Sequence, residues 1–289
     1  MIDMYHPITE LYRKRYAKLN DETKRLLKKS EDIDCDVFQL RLIKRKRPKL
    51  CRGDVFVMNL FEDIYFYGVV LNTDINDDFM GKNLVSISVL KKYSKGTTTF
   101  LQVESLKAED ILIKPNIVSR AYWSNGFFYN TGENICNSID IDYGFFSSCH
   151  KLYVNDYGDE LKLVPEIKNY FAITTMTGIG SMLRDELIID DSFMEEEYRE
   201  AFRRYIDEAV SYVPPQKEPS EFDKSIAPFE FEKEHGRRYC VTLEDFEKLR
   251  YIFSWKDSDM LQEVISQFVE ELKATGLKEY VEKIDFETL

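Results

Sequence analysis

The sequence has few of the patterns that mark enzymes, secreted proteins and membrane proteins. It contains three histidines and two tryptophans among 289 residues. Its longest apolar stretches are about eight residues, well below the roughly 20 that a membrane-spanning helix needs. Residues 1–20 carry charges throughout and include no apolar segment typical of a signal peptide. The sequence therefore predicts a cytoplasmic protein with no membrane segment.

Cysteine spacing also excludes the common metal and disulfide frameworks. None of the five cysteines forms a CxxC pair with another; they are Cys35, Cys51, Cys136, Cys149 and Cys240. An odd number of scattered cysteines in a chain of this length favours reduced thiols. His150 follows Cys149 directly, but a metal site needs three or four converging ligands. We therefore expect a structural Cys/His pair, and we predict no metal and no other cofactor.

The net charge of −12 is unevenly distributed along the chain. Residues 1–52 contain 15 Lys and Arg against 8 Asp and Glu, whereas the remaining residues contain 25 against 44. A nucleic-acid-binding protein is expected to keep a basic face on its folded body. A basic head on an acidic body instead favours a basic protein partner, because opposite charges accelerate association.

The stretch Lys49–Leu71 predicts a β-hairpin. Val55–Leu60 and Ile64–Leu71 are apolar runs suited to strands, and Phe61–Asp63 is a short connection between them. The second run is apolar at nearly every position, as expected of a strand that is covered on both faces. Gly68 inside this run predicts a bulge or a close backbone approach.

The pattern from there to Val164 is one of short strands and turns. Further strands are predicted at Leu84–Leu90, Ile111–Ile113, Tyr143–Phe146, Lys151–Val154 and Leu161–Val164. In the first of these, Ser86 and Ser88 alternate with apolar residues and predict a half-buried strand. Pro115 is expected to end the second. Asn72–Asp78 reads as an acidic loop, and Asn125–Gly126 predicts a hairpin turn between aromatic runs.

Helices are predicted on both sides of the strands. Residues 5–30 have apolar residues at helical spacing, with Asn20 or Asp21 as the cap of a second helix. Ser192 and Glu195 form a predicted capping box in front of a helix with one apolar face. Beyond a Pro-rich stretch, helical spacing returns from Thr242 onward.

Together these patterns predict an α+β protein. Its strand-rich central domain is an antiparallel barrel-like or strongly twisted sheet, flanked by a helical N-terminal segment and a helical C-terminal unit. The predicted divisions are a basic helical segment (1–48), the strand-rich domain ending in a helix (49–212), a Pro-rich linker (213–230) and a small helical unit (231–289).

No combination of residues predicts a catalytic site. Cys51 and His150 would act as nucleophile and base only if the fold brings them together. Gly178-Ile-Gly180 either presents backbone N–H groups to an anion or makes a turn into a helix. The basic run Lys44–Arg47 is either a phosphate-binding arm or a solvated connector.

Acidic residues in two polar segments are the candidates for a charged site; they are Glu62, Asp63, Asp74, Asp77 and Asp78. Their carboxylates suit a cation or acid/base chemistry, but the spacing matches no EF-hand, so solvated loop charge is the alternative. Trp123 is either a binding anchor at a hairpin tip or a core residue.

Five blocks of sequence, taken in order, carry a resemblance to a known family; they are Arg52–Phe56, Tyr65–Val70, Asp110–Pro115, Trp123–Phe128 and Tyr153–Gly158. Residues 47–187, which contain these blocks, resemble the immunity protein 26 family of bacterial polymorphic toxin systems. The resemblance implies a protein that binds and neutralises a cognate toxin by stoichiometric occlusion, with no catalytic residues.

For such a toxin we name candidate contact residues; they are Glu62, Asp63, Asp74, Asp77, Asp78 and Trp123. An acidic inhibitor suits a nuclease toxin, since a nuclease must be basic to hold phosphate. Two other functions stay open. One is a hydrolase that uses the loop carboxylates or the Cys51 and His150 pair, and the other is an RNA-binding module that uses the basic N-terminal segment.

Overall fold

The chain divides into two compact units, Met1–Pro214 and Pro215–Leu289. The computed structural model describes residues 6–35, 37–77, 80–96, 101–213, 231–232 and 238–239. In the second unit the described residues are two short antiparallel strands, Phe231–Glu232 and Arg238–Tyr239. Most of the predicted linker (213–230) and the helices predicted after Thr242 lie outside the described residues.

The described part of the first unit contains five helices and eleven strands. The helices are α1 (Pro7–Ala17), α2 (Asp21–Ser30), α3 (Ala121–Ser124), α4 (Gly178–Ile189) and α5 (Glu196–Ser211). The strands are β1 (Asp54–Asn59), β2 (Ile64–Asp77), β3 (Gly81–Lys95), β4 (Leu106–Lys107), β5 (Ile111–Ser119), β6 (Tyr129–Asn134), β7 (Ile139–Asp140), β8 (Tyr143–Ser147), β9 (Leu152–Val154), β10 (Ile167–Tyr170) and β11 (Ile173–Thr174).

Six of these strands form one sheet in the order β11-β5-β3-β2-β1-β6. The pairs are antiparallel except that β11 runs parallel to β5. A second sheet has the order β10-β8-β9. The α+β class is therefore confirmed. Among the described strands the large sheet is open, with β11 and β6 at its two ends, so it is not a closed barrel.

Both faces of the large sheet are covered, and β1 shows why the sequence requires this. Phe56 and Met58 pack into one hydrophobic cluster, whereas Val55 and Val57 pack into a second cluster on the opposite face. Successive side chains of a strand point to opposite faces, so a run without polar residues needs cover on both sides. The predicted Lys49–Leu71 hairpin is confirmed.

Gly68 lies at a close approach between β2 and β1. A Cβ atom at this position would lie 2.4 Å from the ring of Phe56. The register of β2 against β3 also shifts between Phe66 and Gly68, as at a β-bulge. The predicted bulge is confirmed, and so is the close approach, in which the ring of Phe56 occupies the space that a side chain at Gly68 would need.

Helices α4 and α5 cover the first of the two sheet faces. Leu183 and Leu187 of α4, with Phe202 and Ile206 of α5, are buried in the same cluster as Phe56. The predicted apolar face of α5 is therefore confirmed. Its predicted capping box is not, because α5 begins after an N-cap at Glu195 that makes no side-chain capping bond.

The N-terminal helices belong to the first unit. The hydroxyl groups of Thr9 and Tyr170 lie 3.0 Å apart and join α1 to β10. Asn20 caps α2 as predicted, since its side-chain oxygen accepts a hydrogen bond of 2.8 Å from the backbone N–H of Thr23. Among the described residues, no helix is both long and apolar enough to cross a membrane.

Two strand predictions are corrected by long-range pairing. The predicted acidic loop after Leu71 instead continues β2 as far as Asp77, because its residues pair with the start of β3. Strand β5 does not stop at Pro115 but runs to Ser119. Pro115 is tolerated because it lies opposite a shift in register between Ile87 and Val89, where the missing N–H breaks no ladder bond.

The other corrections concern burial and turns. Ser86 and Ser88 are fully buried, not half exposed, because the opposite sheet face is also covered. Residues 161–164 form no strand, and Leu163 is 83% exposed. The predicted hairpin at Asn125–Gly126 is wrong. A helical turn, α3, precedes it, and the N–H groups of Phe127 and Phe128 return to the carbonyl oxygen of Tyr122.

Candidate functional site

The predicted acidic residues lie at two ends of strand β2. Glu62 and Asp63 form the turn that precedes it, whereas Asp74 and Asp77 lie near its other end. At about 3.3 Å per strand residue, roughly 35 Å separates the two groups. Asp78 lies outside the described residues. The structure therefore does not bring the carboxylates together as a single cation or acid/base site.

Asp74 and Asp77 organise the tip of the β2–β3 hairpin. Asp74 has a positive φ of 58° and accepts a hydrogen bond of 2.5 Å from the guanidinium of Arg120. Asp77 accepts a hydrogen bond of 2.8 Å from the backbone N–H of Met80. Both carboxylates therefore have partners that shape the turn, a role the sequence did not predict for them.

Glu62 and Asp63 are brought next to helix α5. A guanidinium nitrogen of Arg204 lies 3.1 Å from a carboxylate oxygen of Glu62. Lys95, at the end of β3, pairs in turn with Glu197 at 3.0 Å. The first contact joins the β1–β2 turn to α5 and the second joins β3 to α5, so that carboxylates distant in sequence share one surface.

We define this surface as the acidic face; its exposed carboxylates are Glu62, Asp63, Glu195, Glu196, Glu197, Glu200, Asp207 and Glu208. Three of them have ion-pair partners: Glu62 with Arg204, Glu197 with Lys95, and Glu196 with two arginines of α5. The other five form no ion pair within the described residues. Sequence reasoning found Glu62 and Asp63 but missed the α5 carboxylates, because only the tertiary fold places them together.

Trp123 is buried, with 1% of its surface exposed. Its ring packs edge-on against Phe56 and Phe128, at centroid distances of 5.3 and 5.0 Å. Its Nε1–H donates a hydrogen bond of 2.6 Å to the side-chain oxygen of Asn130. The placement of Trp123 at an exposed hairpin tip is therefore wrong, and the core interpretation applies.

The residues considered for nucleophilic chemistry do not meet. The backbone N–H of Cys51 donates to the carboxylate of Asp54 at 2.9 Å, and Nδ1 of His150 lies 3.1 Å from the hydroxyl of Ser147. The contacts of the described residues include none between Cys51 and His150. In that same part of the chain, no three His, Cys, Asp or Glu residues are grouped so that they would hold a metal.

Gly178 and Gly180 lie in the first turn of α4. Gly180 is buried, and a Cβ atom there would lie 3.2 Å from the backbone nitrogen of Leu40. The second glycine therefore lets the segment before β1 pack closely against α4. Of the two interpretations of this motif, the turn into a helix fits the structure.

A cleft of about 280 Å³ lies between the N-terminal helices, β5 and α4. Arg15 and Glu186 form an ion pair on its wall, and Nζ of Lys114 lies 5.3 Å from the ring centroid of Tyr12. Burial, and then the neighbouring charge of Arg15, lowers the pKa of Lys114. Burial raises the pKa of Tyr12 to about 12. The cleft is thus a small space lined by apolar residues together with a few charged side chains, and the sequence did not predict it.

A second charged surface lies on residues 41–52, which we call the basic strap. Its exposed cations are Arg41, Lys44, Arg45, Lys46, Arg47, Lys49 and Arg52. Buried leucines at positions 40 and 50 hold the strap near its ends. Along it, the N–H of Arg41 donates to the carbonyl oxygen of Asn59 at 2.7 Å, and that of Ile43 donates to Gly126 at 2.8 Å. The strap is therefore an ordered part of the first unit's surface.

Comparison with known proteins gives no relative from which a function could be transferred. No protein-family model, curated protein sequence or solved structure matches this chain. The features that bear on function are therefore the two charged surfaces and the ordered sequence blocks between residues 47 and 187.

Proposed function

We propose that this protein is an immunity protein that neutralises a cognate bacterial toxin by stoichiometric binding. The observation that carries the proposal is the acidic face, on which α5 and the β1–β2 turn present eight exposed carboxylates. The ordered blocks between residues 47 and 187 that resemble the immunity protein 26 family point to a toxin as the partner.

The charge of the acidic face suits a basic partner. Its eight carboxylates outnumber the basic side chains that pair with them, which are Lys95, Arg199, Arg203 and Arg204. Complementary charge steers the encounter of two proteins and disfavours partners of the wrong sign. A nuclease toxin fits this requirement, because it must present cations in order to hold phosphate.

A hydrolase is the weaker candidate. It requires converging carboxylates or a Cys51 and His150 pair, and the structure gives Cys51 and His150 different hydrogen-bond partners. The acidic residues Asp63 and Asp74 are separated by most of the length of β2. No specific contact among the described residues favours this second function.

The proposal is tested with the full chain and the purified toxin encoded beside it. We expect one molecule of this protein to inactivate one molecule of toxin, with a complex of matching mass in light scattering. Inactivation of many toxin molecules by one molecule of this protein would instead indicate an enzyme. The absence of any complex with the neighbouring toxin would contradict the proposal outright.

A further inference from the structure

The basic strap carries a high density of cations with no acidic residue among them. Seven of the twelve residues from 41 to 52 are Lys or Arg, and none is Asp or Glu. None of the seven forms an ion pair within the described residues. Like charges held this close repel one another, so the strap is a surface whose charge is not neutralised by its own fold.

The fold keeps these cations in place. Nζ of Lys46 lies 4.6 Å from the ring centroid of Tyr129 and 3.3 Å from its hydroxyl. Gly126 has a positive φ of 90°, and a Cβ atom there would lie 2.9 Å from the backbone nitrogen of Arg45. The strap thus packs directly on the turn after α3, and binding would not require an unstructured segment to become ordered.

We propose that the basic strap binds the phosphate backbone of a nucleic-acid strand. Most protein contacts to nucleic acid go to phosphate and sugar and come largely from Arg and Lys. The four arginines among the seven cations suit bidentate contacts to phosphate oxygens. This binding function is distinct from toxin neutralisation, although the strap begins beside the acidic face, where the guanidinium of Arg41 donates a hydrogen bond of 3.3 Å to the backbone carbonyl oxygen of Glu62.

The composition of the strap favours nucleic acid over an acidic protein. Protein–protein interfaces are depleted in Lys and depend on buried aromatic or apolar anchors. Three of the seven cations are lysines, and Leu42, 56% exposed, is the one large apolar side chain of the strap that is mostly exposed in the described structure. The strap therefore offers charge without an apolar anchor.

The overall acidity of the chain does not exclude this function. The distribution of charge along the sequence suggested a basic head separate from the folded body. Backbone hydrogen bonds to Asn59 and Gly126 instead fix the strap on that body. The net charge of −12 then makes binding weaker and more dependent on salt, without removing the local attraction.

The test measures binding of the full chain to a fluorescein-labelled single-stranded RNA of about 20 nucleotides, and to the matching DNA, by anisotropy across a range of KCl concentrations. The strap variant is Lys44→Ala/Arg45→Ala/Arg47→Ala. The charge-matched control is Arg25→Ala/Lys28→Ala/Lys29→Ala, which removes three exposed cations from α2.

We expect the strap variant to bind RNA about tenfold or more weakly than wild type at low salt. The magnitude of its slope of log K against log [KCl] should fall by about 2, whereas the control variant should stay near wild type. Equal losses in both variants would show that net charge alone matters and would overturn the proposal. So would strap-dependent binding to poly-glutamate as tight as that to RNA, since it would identify an acidic protein as the partner.

Discussion

The guanidinium of Arg15 donates two hydrogen bonds, of 2.6 and 2.5 Å, to the carboxylate of Glu186 and so joins α1 to α4. The pair is half-buried, and the hydrogen-bonded carboxylate raises the pKa of Arg15. Burial lowers the pKa of nearby Lys114, the charge of Arg15 lowers it further, and the charge of Glu186 opposes the shift. This arrangement makes Glu186 the shared counter-charge of two cations from different parts of the chain.

The variant Arg15→Met is expected to lower the free energy of unfolding by about 1–2 kcal/mol, because two charge-assisted hydrogen bonds are lost. Lys114 stays near Glu186, which limits the loss. Arg13→Met is the matched control: Arg13 is 71% exposed and pairs with Glu10 on the same helix, so its loss should cost less than about 0.5 kcal/mol. Urea denaturation measures both, and equal effects would show that the pair with Glu186 adds nothing.

Gly68→Ala is expected to lower the free energy of unfolding by about 2–3 kcal/mol, because the added methyl group meets the ring of Phe56. That ring cannot move aside easily, since Phe128 stacks on it at 4.5 Å. Phe56→Leu opens space for the added methyl group. The double variant should therefore lose less free energy of unfolding than the sum of the losses in the two single variants. Strict additivity would contradict the steric explanation.

Trp123→Phe is expected to lower the free energy of unfolding by about 2–3 kcal/mol, through lost volume and the lost hydrogen bond to Asn130. Because Trp123 is buried, the folded variant should bind the toxin with wild-type affinity. Calorimetric titration below the melting temperature checks this. Weaker binding without loss of stability would mean that Trp123 contacts the partner after all.

Asp185→Asn is expected to alter the pH dependence of stability. Burial raises the pKa of Asp185 above its ordinary value of 3.8, although the Ser30 hydroxyl, at 2.9 Å, opposes the shift. The folded chain therefore keeps this proton at pH values where the unfolded chain has lost it. The stability from this group is fully present below about pH 3.8 and is lost as the pH rises through the folded pKa.

Asparagine carries no charge, so the Asn variant should gain stability relative to wild type as the pH rises above about 3.8. Urea denaturation at several pH values measures the difference. If the two stability curves stay parallel across that range, the pKa of Asp185 is not raised by the fold. Asp159→Asn serves as the control, because that side chain is exposed.

The sequence correctly predicted elements that depend on neighbouring residues or on a long apolar run. The Asn20 cap depends on a contact between residues three positions apart. The apolar run around Gly68 can be buried only in a strand that is covered on both faces. The end of β2 was missed because this segment is polar, whereas pairing of Asn72, Ile75 and Asp77 with β3 extends the strand through it. The hairpin predicted from Asn125–Gly126 was wrong because burial of Trp123 favoured a helical turn over a hairpin.

The charged surfaces could be predicted less well from the sequence, because they also depend on contacts between residues far apart in the chain. The acidic face requires that Arg204 meet Glu62, a contact between residues 142 positions apart. The basic run was visible in the sequence, but its attachment to the turn at Gly126 was not. Charge can be counted along a chain, whereas the surface that displays it is set by tertiary packing.

The acidic face makes a direct kinetic prediction for toxin binding. The variant Glu200→Lys/Asp207→Lys/Glu208→Lys reverses three of its exposed carboxylates. Asp140→Lys/Glu160→Lys/Glu166→Lys makes the same change of charge at exposed positions outside the face. Comparing the two separates the effect of this surface from that of net charge.

The deciding measurement is the association rate constant with the toxin, recorded by stopped flow at rising KCl concentration for wild type and both variants. For wild type and the control, the association rate constant should be high at low salt and should fall by about tenfold or more as the salt concentration rises. For the face variant, it should be low at every salt concentration. A face variant that associates as fast as wild type at every salt concentration would contradict the proposal that this surface receives the toxin.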